Sequence, residues 1–187
     1  MKIGIDFDDV LMSFDAAMLD WHNRSYGTSL TREKDISTDL ETLFQASIPE
    51  TVKRILLFYK TPEHAAIEPI DGAVEGVRIL AQKHELHIIT ARPKDSQVET
   101  EALVQKFFPN LFAGVHFTDH FLGGGKKKSE VCQELGIELF IDDSMNNAVD
   151  VSTLGIPVLL LDAPWNQVQT PPGVKRVFSW NDIIEAI

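Results

Sequence analysis

Short apolar runs rich in β-branched residues alternate with helical stretches along most of this chain, and that alternation restricts its fold more than any other feature. The runs are Lys2 to Ile5, Leu86 to Thr90, Gly114 to Phe117, Leu139 to Ile141 and Val158 to Leu161, with a weaker one at Val174 to Phe178. Helical patterns stand between them at Ala73 to Lys83 after the Asp71-Gly72 turn, Ser96 to Phe108, Ser129 to Leu135 closed by Gly136, and Asn146 to Leu154 closed by Gly155. Strands joined through helices run parallel, and strands that are apolar throughout need cover on both faces. The pattern predicts an α/β fold: a Rossmann-like parallel sheet with helices on both faces.

The segment from Phe14 to Pro69 breaks the rhythm. It holds no convincing strand but three helical patterns, Phe14 to Arg24, Asp39 to Ala46 and Pro49 to Tyr59. Because it follows directly on the first strand, it is placed to form a small helical cap over that strand's end. The expected organisation is a core of residues 1–13 and 70–187 and a cap insertion of residues 14–69. Cap aromatics such as Trp21, Tyr26, Phe44, Phe58 and Tyr59 are candidates to stack on a planar substrate group, although aromatics at helical spacing commonly just fill a core.

Charge and composition narrow the partners. Seventeen basic against 28 acidic residues give a net charge of −11, which argues against a nucleic-acid polymer, whose binding depends on neutralising phosphates. A small anionic substrate stays open if a metal and a lysine make one site locally positive. The single cysteine, Cys132, excludes an intrachain disulfide and reads as a small buried apolar residue. The N-terminus begins with a strand rather than a signal-peptide pattern, and no apolar run approaches the roughly 18 residues that span a bilayer. The expectation is a soluble cytoplasmic protein without a membrane partner.

The chemistry is concentrated at strand ends. The first strand runs into Asp6-Phe7-Asp8-Asp9-Val10, and Leu139-Phe140-Ile141 runs into Asp142-Asp143. Carboxylates this dense repel one another unless a cation neutralises them, so a hard, oxygen-seeking metal such as Mg²⁺ is expected, with Asp6, Asp8, Asp142 and Asp143 as its ligand set. Parallel sheets place ligands beyond the carboxyl ends of their strands, so acids far apart in sequence can meet there. A carboxylate can attack phosphorus while a neighbouring acid protonates the leaving alcohol and later activates water, which casts Asp6 as nucleophile and Asp8 as acid/base. The competing reading of this stretch is an acidic turn that caps the following helix.

Two further segments fit the same chemistry. Thr90-Ala91-Arg92-Pro93 ends a buried strand with a hydroxyl and with backbone N–H groups suited to a phosphoryl oxygen, though a threonine there also suits a helix cap. Gly123-Gly124-Gly125-Lys126-Lys127-Lys128-Ser129 is not a P-loop, because Lys127 stands where that motif needs glycine. It is instead a glycine turn that delivers a lysine at the start of a helix. Lys128 is the first candidate to point inward and Lys127 the second.

Asp6, Asp8, Thr90, Lys128 and Asp142-Asp143, in that order along the chain, resemble the signature of the haloacid dehalogenase (HAD) superfamily of phosphohydrolases. The resemblance narrows to the 5′(3′)-deoxyribonucleotidase family through Asp6-Phe7-Asp8-Asp9-Val10-Leu11, Pro69-Ile70-Asp71-Gly72-Ala73, Thr90-Ala91-Arg92-Pro93, Pro164-Trp165-Asn166 and Ser179-Trp180. It spans the core from both ends and is poor in the cap. Asp9 departs from the family's glycine after D-x-D, and Val10 from the threonine common in the wider superfamily. The resemblance implies a Mg²⁺-dependent phosphomonoesterase acting through an aspartyl-phosphate on (deoxy)ribonucleoside monophosphates. Thr90, Ala91, Arg92 and Lys128 would bind substrate, with Phe44 and Tyr59 added from the cap aromatics as substrate-binding candidates outside the resemblance, and a homodimer is compatible with this reading. Two other readings compete: the same chemistry on another small phosphomonoester, and a non-catalytic phospho-acceptor or ligand-binding domain. In a phospho-acceptor domain the acidic pair would come first, which is not the order here.

Overall fold

The computed structural model describes residues 1–31, 43–119 and 124–187. Six strands, β1 (Lys2–Ile5), β2 (Glu85–Thr90), β3 (Gly114–Phe117), β4 (Leu139–Asp142), β5 (Val158–Leu161) and β6 (Val174–Val177), form one sheet in the order β3-β2-β1-β4-β5-β6. Every pairing is parallel. The chain winds outward from β1 through β2 to β3, then returns to β1's other side with β4. The crevice of a doubly wound sheet therefore opens between the carboxyl ends of β1 and β4. The register sets Ile5 opposite both Ile88 and Ile141, which brings the next residues, Asp6 and Asp142, side by side.

The period-two alternation of the strands divides the core between the two faces. Ile3, Ile5, Leu86, Ile88, Leu139 and Ile141 face one layer, with Val77 and Leu80 of α4 (Ala73–Ala81), Leu103 of α5 (Gln97–Phe107) and Ile183 of α8 (Trp180–Ala186). Ile89, Phe140, Val158 and Leu160 face the other, against α6 (Lys128–Leu135) and α7 (Met145–Ser152). Gly4 is required there, since a Cβ on it would stand 2.9 Å from the Phe140 ring and 3.0 Å from Ile89. Cys132 is buried in this second layer, and burial pushes its thiol up to about 12, as inert as the sequence suggested.

Between β1 and α4 the described residues contain no strand, only α1 (Phe14–Tyr26), α2 (Ile48–Tyr59) and α3 (Pro62–Ala65) beside a helical pair at Leu43 and Phe44. Of the helix expected over Asp39 to Ala46, residues 39–42 lie outside the described residues. The helices of this insert pack through aromatic contacts, Phe14 edge-on to Phe58 at 5.5 Å and Trp21 tilted against Phe58 at 5.4 Å between ring centres. Its two ends are tied side by side: Met12 and Pro69 form an antiparallel bridge, Ser13 N donates to Glu68 O (3.0 Å) and Ile70 N to Leu11 O (2.9 Å).

Helices α3 and α8 are absent from the sequence expectation. Each begins at a hydroxyl cap, with Thr61 accepting from His64 N and Ser179 from Asp182 N. Helix α8 carries Trp180, whose indole donates to Val10 O at 2.9 Å and so fixes the acidic loop after β1. The ring lies on Gly76 of α4, where a Cβ would overlap it. Gly76→Ala is expected to destabilise the protein by about 1–3 kcal/mol in urea unfolding, because neither backbone nor indole can move without loosening that loop. An unchanged midpoint would contradict this packing.

Candidate active site

Asp6 extends β1 by one residue. Its N–H donates to Ile141 O at 2.9 Å, and its side chain accepts from Phe7 N at 2.7 Å, so the carboxylate is fixed at the sheet's end. Lys128, the first residue of α6, reaches in from the side. Its buried ammonium lies 2.6 Å from Asp6 Oδ2 and 2.8 Å from Asp142 Oδ2. Asp142 also accepts from Ser144 N (2.7 Å) and from Asn147 Nδ2. Asp143 accepts from the indole of Trp165 at 2.7 Å, while Asn166 Nδ2 holds its carbonyl at the same distance.

One oxygen each from Asp6, Asp142 and Asp143 lies within 4.8 Å of the others. One ammonium cannot balance three buried carboxylates, and the proton affinities register the deficit. Burial raises the Asp6 carboxyl well above the usual range, Lys128 opposes it, and Asp142, Asp143 and Asp8 push it further up. Burial and Asp142 raise Asp143 to about 7 against the pull of Lys128 and the Trp165 hydrogen bond. Burial also works against the Lys128 charge, yet the Asp142 and Asp6 carboxylates together outweigh it and hold the ammonium above the ordinary lysine range. A compact, all-oxygen, under-neutralised trio fits a hard divalent cation such as Mg²⁺.

Asp8 stands apart from this trio. Its carboxylate is held by Arg92, with Nη2 at 2.7 Å from Oδ1 and Nε at 2.9 Å from Oδ2. Thr90 is buried at the end of β2, its hydroxyl accepting from Arg92 N at 3.2 Å. Asp8, Ala91 and Arg92 line a cavity of about 190 Å³ closed on the insert side by Phe14, Phe44 and Tyr59. Of the five cap aromatics, then, Phe44 and Tyr59 face this space. Trp21 and Phe58 are buried in the cluster that the insert shares with the sheet, and Tyr26 lies at the surface under Arg54, 4.0 Å from its guanidinium carbon.

The lysine run resolves by helix phase. Lys126 pairs with Glu134 and Lys127 with Asp150 at the surface, which leaves Lys128 as the one that enters; Gly123 lies outside the described residues. Asp9 explains itself through its backbone. Its φ of +56° lies in the left-handed region that glycine adopts freely, and its carboxylate accepts from Asp15 N in the first turn of α1. An aspartate is tolerated at a glycine position because it also caps a helix.

Sequence reasoning assigned no role to Trp165, Asn166, Asn147 or Trp180. Pro164-Trp165-Asn166 and Ser179-Trp180 were visible as motifs, and their partners Asp143 and Val10 come only from the fold.

Parallel sheet, acidic switch point, buried lysine and helical insert define a HAD-like hydrolase. The haloacid dehalogenase-like hydrolase SP0104 from Streptococcus pneumoniae superposes with a TM-score of 0.74 at 14% identity, covering 99% of this chain and 97% of that one. YfnB from Bacillus subtilis, solved bound to magnesium, gives 0.66 at 19% identity with the same coverage. BH1399 from Halalkalibacterium halodurans is 28% identical over 182 residues, 97% of this chain and 89% of its own length. CA_C3379 from Clostridium acetobutylicum, a nucleotidase by name, is 23% identical over 184 residues, 98% of this chain and 91% of its own length. The family model described as 5′ nucleotidase, deoxy (pyrimidine), cytosolic type C protein (NT5C) matches residues 1–187, and the chain belongs to that family. It is a phosphoric monoester hydrolase of the nucleotidase type. No helix among the described residues is long and apolar enough to cross a membrane.

A buried histidine behind Arg92 couples folding to pH. His64 of α3 accepts from Arg92 Nη1 at 3.1 Å, and burial, then the Arg92 charge, lowers it from the ordinary 6.5 to about 4. Between those values the unfolded chain binds a proton that the folded chain refuses, so this contribution is complete above pH 6.5 and is lost as pH falls toward 4. His64→Gln, which can still accept from Arg92, is expected to flatten the decline of unfolding free energy over that window. An unchanged slope would contradict the assignment.

Proposed function

We propose that this protein is a Mg²⁺-dependent nucleotidase that hydrolyses (deoxy)ribonucleoside monophosphates through a phosphoryl group carried transiently on Asp6. The observation that carries the reading is the buried Asp6–Lys128–Asp142 arrangement at the switch point, with Asp8 beside it on a cavity walled by Phe44 and Tyr59. Family membership and the nucleotidase relative support the substrate class.

In this mechanism a carboxylate oxygen of Asp6 attacks phosphorus and the bond to the leaving oxygen breaks. Asp8 gives its proton to the departing alkoxide. In the second half Asp8 takes a proton from water as that water attacks phosphorus, and the bond from phosphorus to Asp6 breaks to release phosphate and free carboxylate. Lys128, the Thr90 hydroxyl and the Ala91 N–H hold the phosphoryl oxygens. Arg92 borders the leaving-group side. Phe44 and Tyr59 provide the apolar walls for the nucleoside, and residues 14–69 serve as the cap that brings them there.

Asp6, Asp142 and Asp143 would hold the metal, and YfnB, solved with magnesium, supports the choice of ion. When bound it would supply positive charge that offsets the negative charge of the phosphoryl group. Asp8, which lies outside that trio, is the acid of the four left for proton transfer.

The test is phosphate release from nucleoside and sugar monophosphates with Mg²⁺ or EDTA. Preferential Mg²⁺-dependent release from nucleotides is expected, and Asp6→Asn is expected to lower kcat by about 10³-fold or more while leaving the fold intact. Release confined to other esters would overturn the substrate assignment. A fully active Asp6→Asn protein would overturn the mechanism.

A further inference from the structure

We propose that Arg92 is a positioning residue for Asp8 rather than a phosphate ligand, fixing the carboxylate at the leaving-group side of the site. The inference rests on the role given to Asp8 above. It starts from an accounting of the guanidinium, whose five N–H groups all lie in one plane. Nε donates to both carboxylate oxygens of Asp8, at 3.1 and 2.9 Å, and Nη2 donates to Oδ1 at 2.7 Å. Nη1 donates to Thr100 Oγ1 at 2.9 Å and to His64 Nε2 at 3.1 Å. Since arginine can only donate, His64 accepts through Nε2 and carries its proton on Nδ1.

The plane is held as firmly as the edge. The guanidinium carbon lies 4.7 Å from the centre of the Phe7 ring, 5.1 Å from Phe14 and 4.8 Å from Tyr59. The Arg92 side chain is 1% exposed against 24% for that of Asp8. Both residues border the cavity, but the edge formed by Nε and Nη2 is taken by Asp8, so a phosphoryl oxygen reaching that edge would have to displace the carboxylate, which is the more exposed of the two groups. The contacts come from both parts of the molecule: Phe7, Asp8 and Thr100 from the core, and Phe14, Tyr59 and His64 from the insert. Arg92 thereby ties the orientation of Asp8 to the seating of the insert. A lysine would keep the charge but lose the two-atom grip that sets the carboxylate plane.

A double-mutant cycle separates acting through Asp8 from acting on phosphate. In Arg92→Met, kcat for a nucleoside monophosphate is expected to fall by about 10- to 100-fold, with KM and the competitive inhibition constant of inorganic phosphate within about 3-fold of the parent. Arg92→Lys is expected to recover only part of the loss. Asp8→Asn should cost more alone, and Asp8→Asn/Arg92→Met should be no worse than Asp8→Asn within about 3-fold, because the group that Arg92 serves is already gone. Thr100→Val, which removes one support of the guanidinium at nearly constant volume, is expected to shift kcat in the same direction by less, and it reads the same effect if Arg92→Met fails to fold. A phosphate inhibition constant raised about 10-fold or more, or effects that multiply in the double variant, would overturn the positioning role in favour of direct phosphate binding. A wild type inactive on every phosphomonoester with Mg²⁺ present would overturn the proposed function and this inference with it. An active wild type with multiplicative effects would overturn this inference alone.

Discussion

A lysine ammonium buried among three carboxylates at the end of a parallel sheet is the arrangement to which the rest of the molecule is fitted. Lys128 lies 2.6 Å from Asp6 and 2.8 Å from Asp142, and burying such charges costs several kcal/mol unless each finds partners. The strand order supplies the meeting point, because β1 and β4 are neighbours only where the winding of the sheet reverses. The main-chain donors Phe7 N and Ser144 N and the side chains of Asn147 and Trp165 satisfy oxygens that the lysine does not reach. The surplus negative charge fits the proposed role of these acids in holding a cation.

The second determinant is how the insert is held. Its two ends pair with each other at Met12 and Pro69, so the chain enters and leaves it side by side next to Asp8, while its apolar residues share one buried cluster with the sheet. Arg92 crosses that junction, gripping Asp8 on one side and His64 on the other, while Trp180 secures the same loop from below through Val10 O. The acidic loop is thus braced from both directions, and the apolar walls at Phe44 and Tyr59 stand opposite it. In the proposed mechanism chemistry resides in the sheet's end and selectivity in the insert, joined at one loop.

Much of this was legible in the sequence, and the limits have physical causes. The strands were recoverable almost to the residue because β-branched apolar runs bounded by turns have few other uses. Asp6, Asp142 and Asp143 could be linked because parallel strands present their carboxyl ends along one side of the sheet, while the adjacency of β1 and β4 and the separation of Asp8 from the trio come from the strand order and the fold. That Lys128 enters while Lys126 and Lys127 turn outward depends on where α6 starts, a one-residue question of helix phase. The pairing of Arg92 with Asp8 spans 84 residues and depends on how α3 and α5 seat the guanidinium, which no local pattern encodes. Helices α3 and α8, of four and seven residues, are too short for periodicity to declare them and are recognisable only by their hydroxyl caps. The left-handed backbone of Asp9 was hidden because a residue that costs strain stands where glycine is the natural choice.

The central claim is that Asp6 carries the phosphoryl group, and the most direct test is to trap it there. Quenching the enzyme during turnover of a nucleoside monophosphate and reducing with borohydride converts an acyl phosphate to the alcohol, so an aspartyl-phosphate becomes homoserine. Peptide mass mapping is predicted to find homoserine at position 6, dependent on substrate and absent at Asp8, Asp142 and Asp143. Rapid turnover with an unmodified Asp6 in every quenched sample, or homoserine at another aspartate, would contradict the account.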